Sequence, residues 1–461
     1  MDVQFDPELM RRYDREGPRY TSYPTALQFQ PGVGPADYAR AAAASPGAQR
    51  RDPLSLYVHI PFCFSPCFYC GCNKVITRQV QRADPYVRQL DAEIELRSRY
   101  FDTSRSIEQL HLGGGTPTFL PQARMEALLG SLSRHFTLID TPDRDYSIEI
   151  DPRTVTPDAI RMLVGLGFNR ISLGVQDFDP AVQAAVNRLQ SVELVRGILD
   201  AARALDLRSI NFDLIYGLPR QTLSSFEATL DQVIALRPDR LAVYGYAHMP
   251  TLFKAQRQIP AAELPDARLR LALLQMAVNK LTGAGYEYIG MDHFALPEDS
   301  LAQAQRNGTL HRTFQGYTTH ASRDLVSVGV SAIGQVGNLY VQNHKALPEY
   351  AAAMNRGELP QQRGVVASED DVVRRDVIQQ IMCHGRLDIG SLERRHALRF
   401  DAYFAAERPR VQALAQDGLV EIDAAALTLT PRGRLLMRNV AMAFDAYLAK
   451  RTTPVVQSRA I

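Results

Sequence analysis

Between residues 54 and 294, short apolar runs alternate with longer stretches in which apolar residues recur every three or four positions. The short runs are "LSLYVHI", "IEQLHLGG", "YSIEID", "RISLGVQ", "SINFDLIYG" and "RLAVYGYAH", with "YEYIGMDHF" as a further candidate. Their length and their β-branched and aromatic content mark them as strands. Stretches such as "YVRQLDAEIELRSRYF", "MEALLGSLSRHF" and "SSFEATLDQVIAL" carry the helical spacing. Strand and helix in alternation predict parallel strands joined by crossover helices, hence an α/β fold, and a TIM-like β/α barrel, complete or partial, fits best. In that architecture the loops at the carboxyl ends of the strands converge on one face, where chemistry is expected.

Outside this barrel region, residues 54–292, the pattern changes. Residues 1–53 read as an N-terminal arm, polar at first and then "GPRYTSYPTALQFQPG", whose Pro and Gly break any long helix. Residues 293–367 are rich in Gly, His and polar residues, and "HRTFQGYTTH" and "GVSAIGQVGN" read as loops near a site and a connection. From 368 to 461 helical periodicity returns in "EDDVVRRDVIQQIMC", "LERRHALRF" and "YFAAERPRVQALAQDG". A hairpin, "LVEIDAAALTLT", and a helix, "PRGRLLMRNVAMAFDAYLAK", follow. Helices with a hairpin make a mostly helical, winged-helix-like C-terminal domain, for which a structural or lid role is favoured over DNA binding because folds change function freely.

Hydrophobic residues make up 46% of the 461, ample for a packed core without staples. A formal net charge of +2 is too balanced to imply a nucleic-acid or membrane partner, yet leaves room for a local basic pocket facing an acidic substrate. The first residues have no apolar segment behind a basic head, and no uncharged apolar run is long enough to span a bilayer; the expectation is a soluble, cytoplasmic protein. Five cysteines in so long a chain make no disulfide framework.

Four of those five cysteines crowd into "HIPFCFSPCFYCGCNK", directly after the first predicted strand. Cys63, Cys67 and Cys70 have the spacing C-x3-C-x2-C. Three thiolates on one short loop can hold three corners of a cubane iron–sulfur cluster and leave one iron open to a chelating group. A zinc site is the alternative; it needs a fourth ligand, which His59 or Cys72 could offer. Only Gly71 separates Cys72 from Cys70, so both sulfurs on separate corners of one cubane would strain the loop, and Cys72 is read as a nearby non-ligand thiol. Cys383, in a helical run, is read as an ordinary buried residue.

The cysteine run resembles the signature of the radical S-adenosylmethionine (SAM) superfamily, and within it the oxygen-independent coproporphyrinogen III oxidases, or coproporphyrinogen dehydrogenases. The similarity covers nearly the whole chain: "GPRYTSYPTA", "GGGTPT", "EIDPR", "GVQDF", "NFDLIYGLP", "GMDHFA", "FQGYTT", "GVSAI" and "DGLV". Cys72 and the arm point to the oxidases rather than to the related haem chaperones. The resemblance implies a partial (β/α)6 barrel, a 4Fe-4S cluster on Cys63, Cys67 and Cys70, and two SAM molecules side by side. The first would be bound to the open iron and touched by Tyr57, Tyr69, Gly114, Glu149 and Ile333. The second would meet Gly115, Thr116, Gln176, Arg188, Asp213 and Ala247. Tyr69 stands where the family commonly has Phe. Taken singly, Glu149, Arg188 and Asp213 also have ordinary structural readings, as caps, surface charges or loop partners. A carboxylate inside an apolar strand is costly unless paired, so Asp213 is expected to have a donor such as a ribose hydroxyl or Arg188.

The implied reaction is oxidative decarboxylation of two propionates of coproporphyrinogen III to vinyl groups. A 5′-deoxyadenosyl radical starts it, and a flavodoxin or ferredoxin is the implied electron donor; the chain is expected to act as a monomer. A substrate with four carboxylates calls for a cationic rim. Arg19 and Arg323 are the candidates, with Gln315 and the arm residues Tyr20 and Tyr23, and the arm is read as a flap that orders over the occupied site. The alternatives are a haem-binding or haem-delivery protein on the same fold, and a winged-helix regulator with an iron–sulfur sensor.

Overall fold

The computed structural model describes residues 3–320 and 324–450. Six strands occupy the predicted runs: β1 Leu54–Ile60, β2 Ser106–Gly114, β3 Asp145–Ile150, β4 Arg170–Gln176, β5 Ser209–Tyr216 and β6 Arg240–Gly245. They lie side by side in chain order, each parallel to the next. Between them run the crossover helices Asp84–Ser98, Gln122–His135, Pro157–Gly165, Val192–Ala204 and Leu223–Leu236.

The two faces of this sheet differ. On β1, Leu54, Leu56, Val58 and Ile60 are buried under helices, as are Leu110 and Leu112 of β2 and Phe212 and Leu214 of β5, all in one continuous core. The alternate positions are polar: Ser55, Tyr57 and His59 on β1, Ser147 and Glu149 on β3, Asn211 and Asp213 on β5. Parallel strands covered on both sides read as nearly unbroken apolar runs, because helices pack on each face. Strict alternation here means that helices cover one face and the other, the inner face, carries polar groups.

Both edges extend further than the sequence predicts. The "YEYIGMDHF" run folds into β7 Glu287–Gly290 and β8 His293–Ala295, an antiparallel pair that joins the sheet beside β6. Residues 293–367, expected as loops and a connection, contain seven short strands and two helices among the described residues. Here β9 Leu325–Val328 pairs parallel to β1, and β10 Ile333–Val336, β11 Leu339–Asn343 and β12 Gln361–Val366 continue antiparallel. Twelve strands run in the order β7-β8-β6-β5-β4-β3-β2-β1-β9-β10-β11-β12, and a thirteenth, the two-residue strand Thr137–Leu138, pairs with β2 off this path. "HRTFQGYTTH" is a hairpin, His311–Thr313 against Gly316–Thr318. Glycines interrupt these runs every few residues, which is why they read as loops.

The arm contains the helices Pro7–Tyr13, Pro35–Ala44 and Pro46–Arg50, the second of them ten residues long and not foreseen. Its first part is fastened to the other end of the chain. Asn439 Nδ2 donates to the Tyr13 carbonyl (2.8 Å), Arg438 Nε to that of Pro18 (2.9 Å), and the Tyr20 hydroxyl to Asp445 Oδ2 (2.9 Å). The C-terminal region holds Glu369–His384, Ile389–His396, Phe400–Tyr403 and Arg408–Gln416 with a three-stranded antiparallel sheet that includes the expected hairpin, Val420–Ile422 and Ala426–Leu429. The long helix expected over 431–450 is instead Pro431–Leu435, Met437–Met442 and Ala446–Ala449. Asp445 breaks it: its carboxylate accepts from Tyr447 N and Leu448 N and so caps a new turn. Among the described residues no helix is long and apolar enough to cross a membrane.

Candidate functional site

The cysteine loop leaves the carboxyl end of β1 and is tied at its base. Phe62–Cys63 pairs with Val75–Ile76, through Val75 N to Pro61 O (2.7 Å) and Thr77 N to Cys63 O (3.0 Å). Its crown is held from the end of the short helix that follows β4, Pro180–Ala185: Asn187 Nδ2 donates to Pro66 O (2.7 Å), and Phe68 N to Val186 O (3.0 Å). Every sulfur of the trio has a donor. Thr116 Oγ1 lies 3.5 Å from Cys63 Sγ; Arg188 Nη1 and Arg153 Nη2 lie 3.2 and 3.4 Å from Cys67 Sγ; Cys72 N lies 3.4 Å from Cys70 Sγ. The Cys72 side chain brings Cys70 down to about 5 against its burial, with help from Lys74, whereas burial pushes Cys63 up to about 11.

This donor set suits a cluster on three thiolates better than zinc. Both ring nitrogens of His59 are engaged, Nδ1 with Tyr57 Oη (3.0 Å) and Nε2 with Asn73 O (3.1 Å), so the fourth ligand that zinc requires is not on offer there. Among the described residues no group of three or more His, Cys, Asp or Glu side chains is arranged for a single metal ion. Donors aimed at the sulfurs are what stabilises the charge of cluster-ligating thiolates.

Next to the loop, the "GGGTPT" run closes β2. Gly114 has φ +116°, and a Cβ there would sit 2.6 Å from His59 Cε1; one at Gly115 would sit 2.7 Å from the Pro61 carbonyl carbon. The approach that these glycines permit is that of the cysteine loop itself, a requirement present before any ligand. Gly114 N donates to Glu149 Oε2 (3.0 Å), and His111 Nε2 lies 3.3 Å from Oε1. Burial pushes Glu149 up, but His111 and the Gly114 amide outweigh it and hold the carboxyl below its usual range. Its side chain remains 44% exposed, so it faces open space on the inner face.

At the end of β4, Gln176 stands in a bulge at φ +67°. Such backbone strain in a bulky residue is typical of sites that aim a side chain. Asp213 accepts from Ser172 Oγ (2.9 Å) and Asn211 Nδ2 (2.9 Å), and burial raises it to about 6. Arg188, expected as a partner of Asp213, instead donates to Gly174 O (2.6 Å) and pairs with Asp151 (3.2 Å); Ser172 and Asn211 are the donors the buried carboxylate found. One amide draws two further expected residues together: Gln256 Nε2 donates to the carbonyls of Tyr69 (2.9 Å) and Ala247 (3.1 Å). Ile333 opens β10, its carbonyl accepting from Ser327 Oγ (2.6 Å).

The substrate candidates separate. Arg19 pairs with Asp292 and lies over the Tyr244 ring (5.5 Å to its centroid), on the polar side of β6. Gln315 is in the turn of the 311–318 hairpin, its side-chain nitrogen buried without a partner. Tyr20 and Tyr23 both turn toward the C-terminal region. They are 2% and 1% exposed, and their hydroxyls meet Asp445 and Ala446 N, so packing of the arm uses both. Arg323 lies outside the described residues.

Sequence reasoning missed His111, Ser147, Ser172 and Asn211, although the period-two alternation within parallel strands marks them. It also missed Asp151 and Arg153, which lie inside the "EIDPR" run, and Gln256, for which the sequence carries no local signal.

Three thiols gathered by one loop after the first of six parallel strands, beside a polar sheet face, place the molecule in the radical SAM class. Residues 57–233 match the radical SAM superfamily, and residues 367–436 match the HemN C-terminal domain. Likeness over the full length narrows this. The oxygen-independent coproporphyrinogen III oxidase of Pseudomonas aeruginosa is 52% identical over 97% of this chain and 96% of its own length. That of Escherichia coli K12 is 46% identical over 100% and 99%. The solved structure of coproporphyrinogen III oxidase (HemN) from Escherichia coli, described as a radical SAM enzyme, superposes with a TM-score of 0.92 at 46% identity, covering 97% of this chain and 100% of that one. The chain belongs to the oxygen-independent coproporphyrinogen III oxidase family.

Proposed function

We propose that the chain decarboxylates two propionates of coproporphyrinogen III to vinyl groups, giving protoporphyrinogen IX in haem and porphyrin biosynthesis. The observation that carries this reading is the trio Cys63, Cys67 and Cys70, held at the carboxyl end of β1 against a polar sheet face, in a chain similar to such oxidases from end to end. The six parallel strands act as a partial (β/α)6 barrel, with the arm and a winged-helix-like C-terminal domain closing it. The protein works in the cytoplasm as a monomer, with a flavodoxin or ferredoxin as electron donor.

A 4Fe-4S cluster and SAM, held by the residues below, would supply one-electron radical chemistry at a substrate propionate. Cys63, Cys67 and Cys70 hold the cluster. Glu149 and Gly114 orient the methionine end of one SAM, with Tyr57, Tyr69 and Ile333 around it. Gly115, Thr116, Gln176, Arg188, Asp213 and Ala247 serve a second SAM. Arg188 brings mainly its charge, since its donors are engaged by Gly174, Asp151 and Cys67. Arg19 and Gln315 hold substrate carboxylates and pyrrole edges, with Arg323 nearby in the chain. Tyr20 and Tyr23 act on the substrate by seating the arm that carries Arg19. No residue is assigned as a general base, because the radical chemistry these cofactors would supply removes hydrogen as an atom rather than as a proton.

The test is anaerobic reconstitution followed by incubation with SAM, a reductant and coproporphyrinogen III, with mass analysis of the tetrapyrrole. The expected product has lost two carboxyl groups and gained two vinyls. Intact SAM cleavage with unchanged tetrapyrrole would overturn the assignment and favour the haem-delivery reading.

A further inference from the structure

We propose that Asp151, Arg153 and Arg188 form an electrostatic clamp on Cys67 that sets the reduction potential of the cluster, with Asp151 and Arg153 as positioning residues of opposite effect. The inference rests on the cluster reading above.

Asp151 follows β3 directly. Its Oδ2 accepts from Arg153 Nη2 (2.7 Å) and Arg188 Nη1 (3.2 Å), and these same two nitrogens reach Cys67 Sγ at 3.4 and 3.2 Å. One carboxylate oxygen and one sulfur therefore share two guanidinium groups. The side chains are 10%, 19% and 7% exposed for Asp151, Arg153 and Arg188, so water screens their charges little. Neither arginine is there by accident of rotamer. Arg188 Nε and Nη2 are fixed on Gly174 O (3.1 and 2.6 Å). Arg153 Nη1 donates to Asn187 O (3.1 Å), on the residue whose side chain holds Pro66 O.

The other two sulfurs are served differently. Thr116 gives Cys63 a neutral hydroxyl, and Cys72 gives Cys70 its backbone N–H and its thiol, with the single ammonium of Lys74, which also bonds the Cys70 carbonyl (3.0 Å), beside them. Cys67 is the corner with two guanidinium donors. Reduction adds one negative charge shared among cluster and thiolate sulfurs, and charged donors stabilise that state, which raises the potential. The clamp carries a net charge of +1. Arg153→Gln lowers it to zero and removes a donor, whereas Asp151→Asn raises it to +2 and frees both guanidinium groups for the sulfur. The two substitutions must therefore move the potential in opposite directions, which a merely structural role would not produce.

The experiment is a redox titration of the full-length, anaerobically reconstituted protein, read by electron paramagnetic resonance, with iron and sulfide content measured on each sample. In Arg153→Gln the ratio of reduced to oxidised cluster at a fixed potential falls about tenfold, which for a one-electron couple is about 59 mV. In Asp151→Asn it rises by a similar factor. Should Arg153→Gln not retain the cluster, Arg153→Lys, which keeps the charge and loses the fork, takes its place, with a fall of about threefold expected from the lost donor. Shifts of the same sign, or unchanged potentials at normal iron content, overturn the clamp while leaving the cluster reading intact. A wild-type protein without a four-iron signal overturns the cluster reading and the clamp with it.

Discussion

Asp213 shows what a single polar side chain costs in this sheet. Its neighbours Phe212 and Leu214 are fully buried, and its own carboxyl is raised by burial to about 6 from 3.8. Between those values the folded state keeps a proton that the unfolded chain has released, so this group's contribution to stability falls as pH rises from about 4 to 6. Above that window the cost is fully present, about 3 kcal/mol. Asp213→Asn keeps an acceptor for Ser172 and does not titrate. Urea unfolding should therefore show the variant gaining up to about 3 kcal/mol on wild type near neutral pH and almost nothing near pH 4. Gly114 carries the opposite liability. At φ +116°, with the His59 ring 2.6 Å from any Cβ, Gly114→Ala should cost about 1–3 kcal/mol in unfolding free energy and lower iron uptake, because the His59 ring must give way and release the Asn73 carbonyl that it holds in the cysteine loop. At this scale the sequence was legible where chemistry is local. Cysteine spacing marked the loop on which the structure gathers three thiols, whereas the partners of Arg188 and Asp213 depend on which side chains neighbouring strands place opposite them, and no linear pattern states that.

Among the elements, the strands were read best because their length and apolar content are set by the crossover helices packed on them. All six parallel strands fall within a few residues of the predicted runs. The misreadings share a cause. Strands β9 to β12 take their order from pairing with β1 and with one another, not from amphipathicity, and the broken helix after Pro431 follows from Asp445 serving the arm as well as its own turn. At the amino ends of the strands, Arg240 of β6 pairs with Asp299 (2.9 Å), which also accepts from Ser209 Oγ of β5 (2.9 Å). Asp299 is 3% exposed on its side chain, so Arg240→Ala strands a buried charge and should cost about 3–5 kcal/mol in thermal unfolding; replacing both residues by Leu should recover most of it. The arm is a second element with a separable role. Removing residues 1–25 takes away Arg19 and leaves the cysteine loop untouched, so the truncated protein should retain its iron and lose turnover, as measured by iron content and vinyl product.

Over the whole molecule, one continuous core joins the crossover helices, the sheet and the C-terminal helices, and the cysteine loop lies at its margin. Folding therefore does not depend on metal as it does in small domains whose ligands are their core. Chelation of iron should leave the main unfolding transition in place and increase hydrogen exchange chiefly in residues 63–76. The fastening of the first residues by the last has a consequence in time. Pro18 and Tyr20 are held by Arg438 and Asp445, 420 and 425 residues further along the chain, which are synthesised after the sheet and its thiols. Until that distant stretch is made, the segment around Arg19 is held only by earlier partners such as Asp292, and it closes fully on the sheet late.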